Sequence, residues 1–449
     1  MSSPVQKRCR SCSRDRADFD LDAPMSKRSR TQKSVKHTPM SPAASVSSEP
    51  SMSSEQTRST NKRDEDYYME DGSCILKVEN TLFNVRSSST YATNVPMTED
   101  IFMQVHRSVL ARDNSLFSSM FDLPQMEDEE EGTTDELPIT LHGDSVQQFK
   151  HLLWALYSLP HELAEVTKPQ IEPSHMNRLI DIARMSFKYH FKSLETWALD
   201  VITDHVNRKP SQIVAIPYPG FTVNPHATTA LTSPTAIASH SALLSRLMRL
   251  AQLCAHTRLQ IALTGILRQL MEFSVQYAHL AMSLADELGL RTLRGIAYFE
   301  VMQRGDVITR THAHAADPRA TIDAAGRLII SREQRLRLLQ GYHRLTLVWE
   351  RLRASPLAFE HAPVCSATWH QHGCLQCWLD FWKEKTKSEA VLSLGLADVM
   401  GRLRAIAHEF IRWGSATYMH SECRAAAKQA IQEKIKQIED ALPDYFGED

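Results

Sequence analysis

Three pieces of one stretch decide the fold. Asp71–Val85 reads DGSCILKVENTLFNV, His106–Phe121 reads HRSVLARDNSLFSSMF, and Leu137–Leu163 reads LPITLHGDSVQQFKHLLWALYSLPHEL. Cys74, Leu76 and Val78 alternate as one face of a strand. Asn80-Thr81 is a turn candidate, and Leu82, Phe83 and Val85 continue as a second strand, which together make a hairpin. His106–Phe121 suggests a helix, a break at Asp113-Asn114, and a second helix from Ser115. Leu137, Ile139 and Leu141 alternate as a further strand. Asp144 then reads as an N-cap with Gln147 completing a capping box. The helix that follows carries Val146, Phe149, Leu152, Leu153, Leu156 and Tyr157 on one apolar face.

Between the first two pieces lies an anomaly, RSSSTYATNVPMTEDIFMQ, Arg86–Gln104. It is polar and aperiodic. Removing Val85–Gln104, a twenty-residue unit, leaves TLFNVHRSVL, in which strand runs straight into helix and the frame is kept. A Val-Arg start can be encoded by a GT-initial sequence and Gln by CAG, so a retained intron is one reading. An inserted loop is the other, although long structureless loops inside compact domains are uncommon.

Upstream, residues 1–67 are rich in Arg, Lys, Ser, Thr and Pro, have no apolar periodicity, and are expected to be a disordered tail. Met1–Lys36 holds ten Lys/Arg against four Asp. Lys27-Arg28-Ser29-Arg30 with Lys33 and Lys36 reads either as a nuclear-import signal or as a solvated basic tail. Downstream, two helices carry Met176–Phe187 and Phe191–Ile202. Residues 209–240 are Pro/Thr/Ala-rich and read as a linker. Residues 241–449 read as mostly helical, with Gly289 as a C-cap glycine and a loop over Asp306–Ile330. Arg332–Leu352 reads as a helix with a basic, solvated outer face. The final helix has a stripe of Ala427, Ile431, Ile435, Ile438 and Leu442 for internal packing.

The totals bound the function. The 449 residues carry 51 Lys+Arg against 53 Asp+Glu, a formal charge of −2, so no global field draws nucleic acid or an anionic membrane. No apolar run approaches the ~18–20 residues of a membrane span. The eight cysteines are scattered and do not suggest a disulfide framework. Nucleus or cytoplasm is the expected compartment. HExxH, Walker A, GxSxG and the kinase motifs are all absent, and no cofactor is expected.

One region is metal-like. Cys374-x-x-Cys377 is preceded by Cys365, His370 and His372, and His420 and Cys423 lie further on. Zinc takes Cys and His ligands tetrahedrally, and a Cys-x-x-Cys loop can supply two corners. The favoured reading is different: CLQCWLDFW as a helix, with its cysteines buried beside Trp378 and Trp382.

The stretch Asp71–Leu163 resembles the BTB/POZ domain in its fungal form. The motif residues are Asp71, Phe83, Val105, His106, Arg107, Val109, Leu110, Ser115, Phe117, Met120 and Phe121, then Leu141, Asp144, Phe149, Leu152, Leu153, Leu156 and Tyr157. The resemblance implies an α/β domain over residues 68–208, a small sheet capped by helices, followed by the helical C-terminal region. It implies a non-enzymatic interaction module that forms a homodimer and recruits protein partners. Val105, His106, Arg107, Val109, Leu110, Phe117, Met120 and Phe121 are its interaction residues, and Val105–Leu110 lies near the dimer surface. The alternatives it implies are an adaptor for a cullin ubiquitin ligase and a nuclear regulator acting through partners. Where cullin adaptors carry hydrophobic-x-Glu, this chain reads Met126-Glu127-Asp128.

Overall fold

The computed structural model describes residues 62–78, 101–123, 131–168, 172–208, 214, 231–310, 321–413 and 419–447. Ser59–Asp449 forms one compact unit. Among the described residues no helix is long and apolar enough to cross a membrane.

A four-stranded sheet comes first, with strands β1 (Lys62–Tyr68), β2 (Cys74–Val78), β3 (Ile101–Val105) and β4 (Ile139–Leu141) in the order β1-β3-β2-β4. β2 runs antiparallel to β3, with Cys74 opposite Val105 and Val78 opposite Ile101, and parallel to β4. Cys74, Ile75, Leu76 and Val78 are all buried, because an interior strand is covered on both faces.

Two findings at this sheet were not expected. The first concerns Arg86–Gln104, read as either a retained intron or an inserted loop. Its last four residues join Val105 as β3, which bonds to β1 on one side and β2 on the other. Phe102 and Met103 are buried. The supposed insertion therefore ends in an interior strand. The remainder of that segment and the expected strand Leu82–Val85 lie outside the described residues.

The second is the tail boundary, since β1 begins at Lys62, inside the segment expected to be disordered. KRDEDYY has no alternating apolar face to announce it. It is held instead by parallel pairing to β3 and by charge. Lys150 bonds Asp64 at 3.0 Å and Asp66 at 2.9 Å. The Asp64 carboxylate also accepts from the backbone N–H groups of Asp66 and Tyr67 (3.0 and 3.1 Å), where the register to β3 shifts. Arg63 and the Tyr68 hydroxyl both donate to Asp135.

Six helices surround the sheet: α1 (Arg107–Leu110), α2 (Leu116–Phe121), α3 (Val146–Tyr157), α4 (Pro160–Glu165), α5 (Pro173–Tyr189) and α6 (Lys192–Asn207). The break between α1 and α2 falls where expected. Asp113 and Asn114 sit at φ of 62° and 52°, a left-handed conformation that Asp and Asn tolerate better than most residues. Ser115 then caps α2 by accepting from the Ser118 N–H. The N-cap of α3 differs from expectation. Ser145, not Asp144, accepts from the helix, through the Gln148 N–H. Asp144 is buried and turned to α5, where it accepts from Lys188 (2.7 Å) and from the Tyr189 hydroxyl. A carboxylate taken out of water goes to the strongest donors within reach.

Helices α7 (Pro234–Leu253), α8 (Thr257–Phe273), α9 (Val275–Leu288), α10 (Arg291–Arg304), α11 (Arg332–Ala354), α12 (Thr368–Lys385), α13 (Glu389–Leu392), α14 (Val399–Trp413), α15 (Ser421–Asp440) and α16 (Leu442–Tyr445) form the C-terminal array. α7 starts at Pro234, so helix already occupies the end of the expected 209–240 linker. Gly289 closes α9 at φ +67°, as expected. The expected loop at Asp306–Ile330 contains two short parallel strands, β5 (Val307–Thr309) and β6 (Leu328–Ile330). β6 is buried along its length, which its run Leu-Ile-Ile explains.

Two apolar cores result, and α5 belongs to both. Met185 and Tyr189 pack into the sheet core, while Leu179, Ile180, Ile182 and Ala183 pack into the helical core. The C-terminal residues seal the array through close approach. A Cβ on Gly295 would lie 2.5 Å from the Pro443 nitrogen, and one on Gly341 would lie 2.0 Å from the Phe446 ring. Arg344, expected to face solvent, donates to the carbonyls of Asp444, Tyr445 and Gly447. Ala427, Ile431, Ile438 and Leu442 are buried, in line with the packing role expected of their stripe.

Candidate metal centre and the motif face

The chain leaves α11 at Ala354 and runs without regular structure to Ala367 before α12 begins. Two tryptophans of α12 tie down this segment and the end of α11 before it. Trp378 Nε1–H donates to the Leu357 carbonyl (2.7 Å) and Trp382 Nε1–H to the Leu352 carbonyl (2.8 Å). Each buried indole thereby satisfies its one donor. A tight turn follows, in which the Cys365 N–H donates to the Ala362 carbonyl at 2.8 Å. His361 and Cys365 stand at either end of that turn, and Phe359 packs edge-on against the His361 ring at 5.0 Å.

The turn faces the second helical turn of α12, which carries Cys374, and the first turn of α15, which carries Cys423. The Nδ1 or Nε2 of His361 and the sulfurs of Cys365, Cys374 and Cys423 all lie within 4.8 Å of one another. Cys365 Sγ is 3.9 Å from Cys374 Sγ, and Cys423 Sγ is 3.7 Å from His361 Nδ1. The three cysteines are buried and unpaired by disulfide, and the histidine is half-buried. Two backbone N–H groups point at the sulfurs, Ala362 at Cys423 (3.4 Å) and His420 at Cys374 (3.3 Å). Burial, and then the neighbouring thiols of Cys423 and Cys374, push the Cys365 thiol up to about 12.

Of the metal candidates found in the sequence, Cys365, Cys374 and Cys423 are in this cluster. His370, His372, Cys377 and His420 are not. The His370 ring lies tilted against Trp369 at 3.5 Å, and Cys377, a turn beyond Cys374, packs partly buried against the helical core. The Cys-x-x-Cys spacing thus misled, because α12 turns only its first cysteine towards the turn at Ala362–Cys365. His361 was missed. Its signal is the spacing His-x-x-x-Cys across a proline turn, which brings two ligands to one side without a helix. The expected burial of the cysteines beside Trp378 and Trp382 holds for Cys374, but it accompanies convergence on a histidine rather than plain packing.

The motif residues assemble around the end of β3. Val105, Val109, Leu110 and Phe117 are buried, so they build the sheet core and present no surface in this chain. Phe117 is the hub, with ring centroids 4.6 Å from Tyr189, 6.3 Å from Phe121 and Phe191, and 6.4 Å from Phe149. His106 is tied to the last residue of α3. Its backbone N–H and Nδ1 both lie 3.0 Å from the Tyr157 hydroxyl, and its Nε2 lies 3.4 Å from Asp71. Arg107 sits over the Phe121 ring at 5.4 Å, which joins α1 to α2. Met120 and Phe121 are half-buried at the rim of the core. The Met126–Asp128 element lies outside the described residues.

Compared with protein-family models, curated proteins and solved structures, the chain matches none of them.

Proposed function

We propose that this chain is a non-enzymatic protein-interaction scaffold whose sheet region works as a BTB/POZ-type module, self-associating and recruiting protein partners. A small mixed sheet with helices packed on it, and the motif residues Val105–Phe121 gathered at one end of an interior strand, support the reading. The observation that carries it is the outer side of α2. Leu116 is 43% exposed and Leu123, just past the helix end, is 63% exposed, beside half-buried Met120 and Phe121. Apolar side chains grouped at the surface mark contact sites more often than isolated ones do.

Light scattering on the full chain tests it. The expected result is a dimer at micromolar concentration that Leu116→Asp with Leu123→Asp converts to monomer while the circular dichroism stays unchanged. A wild-type chain that remains monomeric at the highest soluble concentration, or a double variant that still dimerises, would overturn the reading.

A further inference from the structure

We propose that His361, Cys365, Cys374 and Cys423 are the four ligands of one structural zinc ion that staples the turn at Ala362–Cys365 to α12 and α15. Two of the six ligand–ligand distances are those of an occupied tetrahedron, and all six lie within 4.8 Å. With Zn–S of about 2.3 Å and Zn–N of about 2.0–2.1 Å, two sulfurs at tetrahedral corners lie about 3.8 Å apart, and a sulfur and a nitrogen about 3.6 Å. The chain places Cys365 and Cys374 sulfurs at 3.9 Å, and Cys423 sulfur and His361 Nδ1 at 3.7 Å. A disulfide requires about 2.05 Å and uses two cysteines, not three with a histidine.

The donor set selects the metal. Three thiolates and an imidazole suit zinc and exclude the hard cations calcium and magnesium, which take oxygen. The two N–H groups aimed at Cys374 and Cys423 are the partners a metal-bound thiolate needs, since hydrogen bonds to sulfur fix ligand orientation. All four positions are filled by protein and three of the ligands are buried, which leaves no open corner for water or substrate. That is the signature of a structural site rather than a catalytic one.

The position explains the need. The segment from Ser355 to Ala367 has no helix or strand to order it, yet it lies over the buried Trp378. Ligands from three separate places in the chain fix it. Metal binding here is coupled to folding of that corner, because no preformed site exists in the unfolded chain.

The test uses the full chain purified under reducing conditions without added chelator. Elemental analysis is expected to find one zinc per chain. Cobalt exchanged into the site is expected to give the intense visible bands of tetrahedral thiolate coordination. His361→Ala and Cys423→Ser are expected to reduce bound zinc at least tenfold, whereas Cys377→Ser and His372→Ala leave it at one. Because Cys423→Ser puts a hydroxyl into a buried site and can unfold the corner by itself, the cobalt spectrum of the wild-type chain provides the independent readout. No zinc after anaerobic reconstitution, octahedral cobalt bands, a disulfide between Cys365 and Cys374 in the reduced preparation, or zinc content unchanged in His361→Ala would each overturn the proposal.

Discussion

The sheet core and the corner around Cys365 are both buried and both rich in aromatic residues, but they are held in different ways. The sheet core is a distributed packing problem. Phe117 touches four other rings, and Val105, Leu110, Phe149, Leu152 and Leu153 close around it. The corner is a problem of points. From Ser355 to Ala367 the chain is fixed by one indole N–H bond, one tight turn and the convergence of His361 and Cys365 with Cys374 and Cys423. Packing fails by degrees, as atoms are removed. A ligand set fails at once, because a tetrahedral site missing one corner holds its metal far more weakly.

The largest way to break this comparison is to take the metal from the corner. A strong chelator is expected to remove the metal's linkage free energy, about 4 kcal/mol when free metal stands 1,000-fold above its dissociation constant. Hydrogen exchange should show where. Amides of residues 355–367 and 419–424 should lose protection by orders of magnitude, while those of β2 and β3 keep theirs. Equal loss in both regions would mean that the two cores unfold as one and that the contrast drawn here is false.

The converse experiment comes next. Phe117→Ala removes a fully buried ring and is expected to cost about 3–5 kcal/mol. A denaturant titration measures it, and the bound zinc should stay at one per chain. Loss of zinc in this variant would show that the corner depends on the sheet core through α5.

Sequence made the packing region more legible than the corner, and the errors have physical causes. Apolar periodicity located α3, α5 and α6, and the Asp113-Asn114 break and the Gly289 cap followed from local backbone chemistry. β3 was misjudged because two stretches suit one position. Its burial pattern is half-buried, buried, buried, half-buried, buried over Ile-Phe-Met-Gln-Val. Thr81-Leu82-Phe83-Asn84 joined to Val105 has the same polarity pattern, so removing the residues between looked harmless. His361 was missed for another reason. Metal ligands converge in space through a turn and two helix ends, and only the short His-x-x-x-Cys part of that is local in sequence. Asp144 was misassigned because a capping box is a local rule, while its actual partners, Lys188 and Tyr189, are more than forty residues away.

Asp144 sharpens the comparison at intermediate scale, since it is a polar point contact inside the packed region. Burial and then the Asp144 carboxylate push the Tyr189 hydroxyl far up, so it stays a proton donor throughout the accessible pH range. Asp144→Ala leaves that hydroxyl without its acceptor and the Lys188 ammonium with only the His142 carbonyl. A loss of about 1–3 kcal/mol is expected in a denaturant titration. Tyr189→Phe, which keeps the ring against Phe117, should cost less, about 1 kcal/mol. If Tyr189→Phe were the costlier change, the hydroxyl would be acting through something other than its bond to Asp144, and this account of the site would be wrong.

The smallest effect lies at the edge of the same sheet, where β1 is held by charge. Burial acts to raise the Asp135 carboxyl, but the Tyr68 hydroxyl and the Arg63 guanidinium outweigh it and hold the carboxyl below its ordinary value. A carboxylate depressed in the folded state stabilises fully above its unfolded value of about 3.9, and that contribution is lost as pH falls through the folded value. The pair is largely solvent-facing, with Arg63 more than half exposed, so solvent screening leaves only a small contribution at stake. Wild type and Asp135→Asn should therefore differ slightly in urea midpoint at pH 6 and begin to converge only below about pH 4, as pH falls towards the folded value. Salt should shrink the pH 6 difference as well, because exposed charges are screened. A difference that persists unchanged at low pH would assign the role to hydrogen-bond geometry, and β1 would then join the packed strands rather than stand apart from them.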